Sequence, residues 1–468
     1  MASSRDRTTT RLQVSAHRFL TRRMQHALVR GDVRMLDDPM RTQSLSLTAG
    51  AVLAVIAIGG CAVLAFLRPQ GPIDGATILA VRESGALYVR IDDTVHPVLN
   101  LASARLIAGA ADLPMVVSEQ AVASARRGPA VGIAGAPASI GTTLPAAESL
   151  WNVCDSGDRT IVRVGSPQDA APFDDTDAVL VAPASESAAT TYLLHAGRRA
   201  AVDLRDRAVT RALRLEGRTP RQVPRSLIDA IPEDPPIVAP RIPGAGSTGP
   251  AALGGYPVGT VVRLARAETA EHYVVLTDGV QRIGEVTADL IRLTVNQPRE
   301  DIPTIAATAL ASAPAVETLP VGTFPARVTI ADPPVLCARW QAGDGPRQAR
   351  TTLWRADAVP SGPGLVALAQ ADGKGPAVDA VEVPAGRSLF VCAVGVNGSG
   401  GGSGPLYLVT DVGVVFGVRD AQTAQHLGLS AAATPAPWPV LARLPRGPEL
   451  SRERASVLHD SVAGPGPG

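Results

Sequence analysis

Residues 45–67 form one apolar segment, LSLTAGAVLAVIAIGGCAVLAFL, without a charged residue, in a chain of 468 residues that otherwise carries a charge every few positions. As an α-helix, this segment would extend about 34 Å, which is enough to cross a bilayer core of roughly 30 Å. A helix satisfies its own backbone hydrogen bonds and is therefore stable in lipid. We predict one transmembrane helix at residues 42–67, preceded by a short arm, residues 1–41.

The charges on either side of this segment predict its orientation. Residues 1–41 contain nine arginines and four acidic residues, whereas residues 68–90 contain three arginines and two acidic residues. Positively charged flanks stay on the cytoplasmic side of a membrane. We therefore expect a single-pass protein of the inner (cell) membrane, with a cytoplasmic N-terminus and with the region from residue 68 onward in the periplasm.

Two other interpretations of the apolar segment are weaker. A cleaved signal peptide does not fit, because about forty polar residues precede the apolar run. The sequence Ile58-Gly59-Gly60-Cys61 resembles a lipoprotein signal, but six more apolar residues follow the cysteine. We therefore predict an uncleaved anchor.

Composition limits the remaining possibilities. The net charge is +1 and the basic excess is confined to the arm, so a nucleic-acid partner is not expected. The chain contains 45 glycines and 40 prolines and only 3% aromatic residues, which predicts many turns, short strands and an aliphatic core. The single lysine is Lys374.

The arm contains a predicted basic amphipathic helix that starts at an N-cap, Ser15, and ends before Gly31. One face carries Phe19, Leu20, Met24, Ala27 and Leu28, and arginines that include Arg22 and Arg23 surround this face. Such a helix either lies on anionic lipid headgroups or docks its apolar face on a cytoplasmic partner, and the two alternatives do not exclude each other.

Four segments beyond the membrane share one layout of strand, turn, strand and short helix. They lie at residues 86–107, 191–215, 272–293 and 406–429. Each opens with a tyrosine in a β-type run, and the four tyrosines are Tyr88, Tyr192, Tyr273 and Tyr407. A turn follows, then a second apolar run, then a residue suited to cap a helix: Asn100, Asp206, Thr287 and Asp420. A hairpin with one short helix cannot bury its own apolar face, so we expect four repeats that pack together, with the tyrosines in the repeat cores.

The stretches between the repeats are unequal in length and predict additional structure. Residues 302–400 are rich in short apolar runs and indicate a central β-rich domain within a repeat region of residues 68–430. The loop at 397–404, NGSGGGSG, interrupts the fourth repeat. Residues 431–468 are rich in proline and predict an extended tail with Trp438 as its buried anchor. The predicted fold class is α+β.

Three cysteines lie beyond the apolar segment: Cys154, Cys337 and Cys392. An exported location permits disulfide bonds, and three cysteines leave one unpaired. The residues alone do not select the pair.

The arm sequence TTTRLQVSAHRFLTRRMQHALVRGDVRMLDDP, the apolar run and the following LRPQG resemble the EccB family, membrane components of the mycobacterial type VII (ESX) secretion system. The resemblance continues through ESGALYVRIDDTVHPVLNLASARLI, WNVCDS, YLLHAGRRAAVDL, LCARW and PAPWPVLARLPRGPELSR, and so covers nearly the whole chain.

This resemblance implies one membrane anchor and a periplasmic region of four quasi-equivalent repeats around a central β-domain. It implies partners of the EccC, EccD and EccE types and self-association as a dimer within a larger ring. It also implies a disulfide between Cys154 and Cys337, whereas Cys392 matches no family cysteine that we can place.

The sequence offers little support for catalysis, although members of the family have been labelled ATPases. A phosphate-binding loop requires G-x-x-x-x-G-K-[ST], but Leu368 stands at the first glycine position and Gly375 follows Lys374. The seven histidines (17, 26, 96, 195, 272, 426 and 459) show no metal-binding spacing. We therefore expect no metal, no cofactor and no catalytic residue, and we lean toward a non-enzymatic protein.

We predict a structural component that anchors and assembles the periplasmic part of the secretion complex, with the arm residues Phe19, Leu20, Arg22, Arg23, Met24 and Leu28 engaged in assembly. The first alternative is an ATP-hydrolysing subunit of the same system. The second is a membrane-anchored protein that binds the cell envelope.

Overall fold

The computed structural model describes residues 10–31, 39–67, 75–165, 170–184, 190–265, 270–294, 301–343, 348–358, 364–400, 402–429 and 432–460. The chain divides into two compact parts, residues 1–74 and residues 75–468. The first part contains the helices Arg11–Arg30 and Pro39–Leu67. The second part combines helices and sheets, as expected of an α+β protein, and we call it the exported region after the location that the sequence predicts for it.

Four stretches of the exported region contain a three-stranded antiparallel meander followed by a helix, and we call them units one to four. The strands of unit one are Ile78–Val81, Leu87–Ile91 and Thr94–Pro97, and those of unit two are Asp177–Pro183, Tyr192–His195 and Arg198–Ala201. The strands of unit three are Val261–Ala265, Ala270–Leu276 and Gly279–Ile283, and those of unit four are Arg387–Val394, Leu406–Val409 and Val415–Val418. The helices that follow are Leu101–Ala108, Arg207–Ala212, Glu285–Thr294 and Ala421–Leu427.

Each unit then continues with a segment parallel to its first strand, a short helix, and a segment parallel to its third strand. The parallel segments beside the first strands are Met115–Val117, Arg221–Val223, a bridge at Thr304, and Thr434–Pro437. The short helices are Glu119–Ala123, Arg225–Asp229, Ala307–Ala311 and Trp438–Leu441. The segments beside the third strands are Arg126–Arg127, Glu233–Asp234, and bridges at Ala315 and Arg446. Each unit therefore contains more elements than the strand, turn, strand and helix that the sequence predicts.

Three of the predicted helix caps are confirmed. The side chains of Asn100, Asp206 and Asp420 accept hydrogen bonds from backbone N–H groups in the first turns of their helices. The prediction for Thr287 is wrong, because the helix begins at Glu285 and Thr287 is buried within its first turn. A threonine can bury its methyl group in this way, so its presence near a helix start does not identify a cap.

A seven-stranded central sheet connects the units. Its strand order is Ala171–Pro172, Ala349–Ala356, Val335–Ala342, Trp151–Asp155, Thr160–Val164, Ala380–Glu382 and Leu365–Ala367. The central β-rich part is therefore not confined to residues 302–400, because three of its strands precede residue 180. Sequence runs alone did not reveal this long-range pairing, which joins strands about 180 residues apart.

The units bury their apolar faces in pairs. Units one and four share a core that includes Leu106 and Leu427, and units two and three share a core that includes Val209 and Leu290. The opposite faces of units two and four pack against the central sheet. Smaller elements complete the region: the strands Ala130–Val131, Thr142–Thr143, Thr329–Ile330 and Leu458–His459, the 3₁₀ turns Ala146–Glu148 and Ala251–Leu253, and the helix Arg452–Ala455.

The segment expected to be an extended tail is folded where the structure describes it. Strand Thr434–Pro437 pairs with the buried strand Arg387–Val394, and Leu458–His459 pairs with Ala130–Val131. Val440 and Leu441 are buried, whereas Trp438, the expected anchor, is 37% exposed. Proline is compatible with a strand at an edge, which is the position of Thr434–Pro437 in its sheet. The PGPG sequence at 465–468 lies outside the described residues.

Candidate assembly elements

The arm helix begins five residues earlier than the sequence predicts, because its N-cap is Thr10 and not Ser15. It spans Arg11–Arg30, with a capping box formed by Thr10 and Gln13, and Gly31 ends it in a left-handed conformation at φ 68°. Ser15 is therefore inside the helix, where its hydroxyl donates a hydrogen bond to the Leu12 carbonyl. A capping box satisfies two backbone donors at once, which explains why Thr10 and not Ser15 starts the helix.

The predicted apolar stripe of the arm is exposed. Phe19, Leu20, Met24 and Leu28 are between 54% and 86% exposed, and Arg22 and Arg23 beside them are also exposed. The helix contains five arginines and no acidic residue. An amphipathic helix gains most of its stability by burying its apolar face, so this surface has the properties of a contact site.

The helix Pro39–Leu67 contains the predicted membrane-spanning segment. Within the described part of the chain, it is the one helix that is long and apolar enough to cross a membrane, and the candidate span covers Gln43–Val63. Its side chains from Gln43 to Val63 are exposed, as expected of a surface that faces lipid.

The four tyrosines that the sequence singles out occupy corresponding positions in the middle strands of the units. They lie opposite Pro97, Ala201, Arg282 and Gly417, respectively, in the neighbouring third strands. Tyr192 is buried, whereas Tyr88, Tyr273 and Tyr407 are partly buried.

A disulfide joins Cys154 and Cys337 in the central sheet. The two residues lie directly opposite each other in the antiparallel strands Trp151–Asp155 and Val335–Ala342. Val335, Ala356 and Trp354 pack around them. Cys392 is a free thiol buried in strand Arg387–Val394, and burial raises its pKa.

A buried ion pair lies next to the disulfide, and the sequence gives no signal for it. Asp155, whose side chain is 3% exposed, faces Arg221, whose side chain is 15% exposed. One guanidinium nitrogen of Arg221 donates to the Asp155 carbonyl at 3.1 Å and lies 3.4 Å from its carboxylate, and the other donates to the Pro333 carbonyl. Burial raises the pKa of Asp155, and the charge of Arg221 opposes that rise. Arg221 thus ties unit two to one end of the two strands that the disulfide joins.

The turn around Lys374 differs from a phosphate-binding loop. The Asp379 carboxylate accepts hydrogen bonds from the N–H groups of Asp372 and Gly373 at 2.9 and 2.7 Å. The donors that would cradle a phosphate are therefore already paired with an anion of the same chain. The turn leads into strand Ala380–Glu382, whereas a phosphate-binding loop leads into a helix. Lys374 is exposed and lies 3.2 Å from Asp158.

The histidines that the sequence places in or near the repeats have separate environments. His96 bonds to the Pro129 carbonyl, and burial lowers the pKa of His195 and of His272. Among the described residues, no group of three or more His, Cys, Asp or Glu side chains is arranged to hold a metal ion.

The comparisons with known proteins identify the family. The chain matches the family described as "Type VII secretion system ESX-1, transport TM domain B" over residues 6–464. It is 36% identical to the "ESX-3 secretion system ATPase EccB3" of Mycolicibacterium smegmatis, with 97% of this chain and 91% of the relative covered. It is 35% identical to the "ESX-5 secretion system ATPase EccB5" of Mycobacterium tuberculosis, with 97% and 94% covered.

Two solved structures have the same fold. A chain of an intact ESX-5 inner membrane complex aligns with a TM-score of 0.70 and 32% identity, and 98% of both chains is covered. A chain of the EccB3 dimer from the ESX-3 core complex aligns with a TM-score of 0.70 and 34% identity, over 82% of this chain and all of the other. The resemblance predicted from the arm, the apolar segment and the exported motifs is thus confirmed, and this chain belongs to the EccB family of type VII secretion proteins.

Proposed function

We propose that this protein is a structural component of an inner-membrane type VII secretion complex. The arm is cytoplasmic, the helix Pro39–Leu67 crosses the bilayer once, and the exported region lies in the periplasm. The alignment with a chain of the intact ESX-5 inner membrane complex carries the proposal, because it covers 98% of both chains. The excess of arginines in the arm supports the orientation.

The four units act as quasi-equivalent repeats around the central sheet. Their common element order and the corresponding positions of Tyr88, Tyr192, Tyr273 and Tyr407 support this proposal. In units one, two and four, a short strand lies parallel to the first strand of the meander; in unit three, a single bridge at Thr304 takes its place. The disulfide and the partly buried Arg221 cross-link the centre of this array, which suits a protein that supports other subunits.

The arm recruits the cytoplasmic and membrane partners, which we propose are components of the EccC, EccD and EccE types. An exposed apolar stripe in a helix with five arginines and no acidic residue fits a partner surface with an apolar groove and acidic rims. The exported region pairs with a second copy of itself, as the relative does in the EccB3 dimer.

We expect an arm with a disrupted stripe to lose the complex. Replacing Phe19, Leu20, Met24 and Leu28 by serine removes four large apolar side chains, each worth about 1.5–3 kcal/mol when buried against a partner. The variant, like a chain lacking residues 1–41, should no longer co-purify with the membrane complex from detergent extracts, whereas its exported region should keep its fold.

Matched replacements test whether the apolar stripe itself is responsible for binding the complex. Val14 and Val29 are exposed apolar residues of the same helix that lie off the stripe, and their replacement by serine should leave the complex intact. An intact complex with the fourfold serine variant would show that the arm does not recruit partners.

The names of the relatives include the word ATPase, so ATP hydrolysis is the second candidate. We propose a structural role instead, because the Asp379 carboxylate already pairs with the donors of the Lys374 turn. We expect the purified full-length protein with magnesium and ATP to show no turnover that depends on Lys374. Hydrolysis that Lys374→Ala abolishes would favour the enzymatic function.

A further inference from the structure

Unit four carries an exposed aromatic and basic stack. Trp438 is 37% exposed, whereas Trp151 and Trp340 are fully buried. The ring of Tyr407 stacks on Trp438 with centroids 5.7 Å apart and planes 29° apart, and the guanidinium of Arg446 lies 4.8 Å from the centroid of the Trp438 ring. Of the four tryptophans, Trp438 is therefore the exposed one, whereas Trp354 is partly buried.

The stack is rigid although it is exposed. Trp438 begins the helix Trp438–Leu441, with Pro437 as the N-cap and Pro439 in the first turn. The preceding strand is hydrogen-bonded to the buried strand Arg387–Val394, and Val440 and Leu441 are buried behind the stack. The apolar core behind the stack is thus complete without the exposed part of the Trp438 side chain. Because its side chain is already fixed, little conformational entropy would be lost when a partner covers it.

Opposite charges lie beside the stack: Arg446 belongs to it, and Glu449 lies next to Gly417, the residue that pairs with Tyr407 in the sheet. Arg446 is exposed, and Glu449 is partly buried three residues later on the same segment. This segment runs along the outer edge of Val415–Val418, and Pro445 and Pro448 lack the N–H groups that would extend the sheet. A partner would therefore meet this surface through side chains and not by adding a strand.

We propose that Tyr407, Trp438, Arg446 and Glu449 form the centre of the contact between two copies of this chain. A twofold contact uses the same patch on both copies, so the patch must be self-complementary. An aromatic stack flanked by one positive and one negative side chain meets this requirement, because Arg446 of each copy can face Glu449 of the other. Tryptophan, tyrosine and arginine are also the residues that dominate binding energy at protein interfaces.

This inference rests on the proposed self-association and assigns it a surface. The EccB3 dimer provides the reason to choose a second copy as the partner, because that chain aligns in full with this one.

The test measures self-association of the full-length protein in detergent by light scattering over a range of concentrations. We expect Trp438→Ala to raise the dissociation constant about tenfold or more, as truncation of a central interface residue does. Arg446→Glu and Glu449→Arg should each weaken pairing, and the variant with both substitutions should restore it, since the charges are exchanged on both copies. Leu113→Ser, at a residue of unit one that is 83% exposed, should have no effect. Thermal unfolding of each variant checks the fold.

The outcomes separate the inference from the proposed function. If Trp438→Ala leaves self-association unchanged, or if Leu113→Ser weakens it instead, the assigned surface is wrong. Self-association itself would then still hold. Single charge reversals that weaken pairing without rescue in the double variant would overturn the twofold arrangement and indicate a different partner surface. A wild-type protein that stays monomeric at all concentrations would contradict the self-association itself.

Discussion

Removal of the disulfide by Cys154→Ala together with Cys337→Ala is expected to lower the free energy of unfolding by about 4–5 kcal/mol. The two cysteines are 183 residues apart in sequence, and a cross-link over so long a loop strongly restricts the unfolded chain in the entropy model. The loss would be a large fraction of the 5–15 kcal/mol that is typical of folded domains. Urea unfolding of the full-length protein in detergent measures the effect, with tryptophan fluorescence as the signal, because Trp354 packs beside the disulfide.

Two controls attribute the loss to the bridge. Because the bridge is buried, a reducing agent reaches it when the chain unfolds, so equilibrium unfolding of the wild-type protein in reductant should resemble that of the double variant, which reductant should leave unchanged. Cys392 is buried with a raised pKa, so it should not react with thiol reagents in the folded protein. If the oxidised wild-type protein and the double variant unfold at the same urea concentration, the bridge does not stabilise the fold.

The sequence predicted the features that depend on local chemistry. The arm helix and its Gly31 end, the apolar helix, and the caps Asn100, Asp206 and Asp420 all follow from short patterns of residue type. In each case, the residues that determine the structure lie within a few positions of one another, so the pattern is visible in the sequence.

The features that depend on long-range contacts were missed. Strand Trp151–Asp155 also pairs with a strand about 180 residues away, and the residues alone did not select that partner, to which only the disulfide implied by the family resemblance pointed. The parallel segments beside the first and third strands of the units are strands of two to four residues or single bridges, too short to show a period. The C-terminal prolines suggested an extended tail, but Pro435 and Pro437 lie in an edge strand, where a missing N–H group costs little.

The two candidate contact surfaces, the arm stripe and the Trp438 stack, also differ in whether local sequence reveals them. The apolar stripe that contains Phe19 and Leu28 is visible because helical spacing places its residues on one face. Trp438 was expected to be buried because tryptophan is large and apolar, but burial depends on what packs around it. Tyr407 and Arg446, which stack on Trp438, come from different segments of the fourth unit and could not be grouped with it from sequence.

Replacement of Arg221 by methionine is expected to destabilise the protein by about 3–5 kcal/mol at pH 7, because it leaves the buried Asp155 carboxylate without its cation. The substitution also removes the donors to the carbonyl groups of Pro333 and Pro334, which link unit two to the central sheet. Arg218→Met is a matched control, since Arg218 is an exposed arginine of the same segment, and its effect should stay within about 0.5 kcal/mol.

The pH dependence of this effect distinguishes a buried charge from lost packing. Burial already raises the pKa of Asp155, and Arg221 opposes that rise, so Arg221→Met should raise the pKa further above the value of 3.8 that the unfolded chain retains. The folded variant then binds a proton more readily than the unfolded chain, and its stability increases as the pH falls through the raised pKa. The difference in unfolding free energy between wild type and Arg221→Met should therefore be largest at pH 7 and should shrink toward pH 4.

Asp155→Asn added to Arg221→Met should recover much of the stability at pH 7 and remove this dependence. A difference that is constant over this range would mean that the loss comes from packing and carbonyl contacts and not from the uncompensated carboxylate.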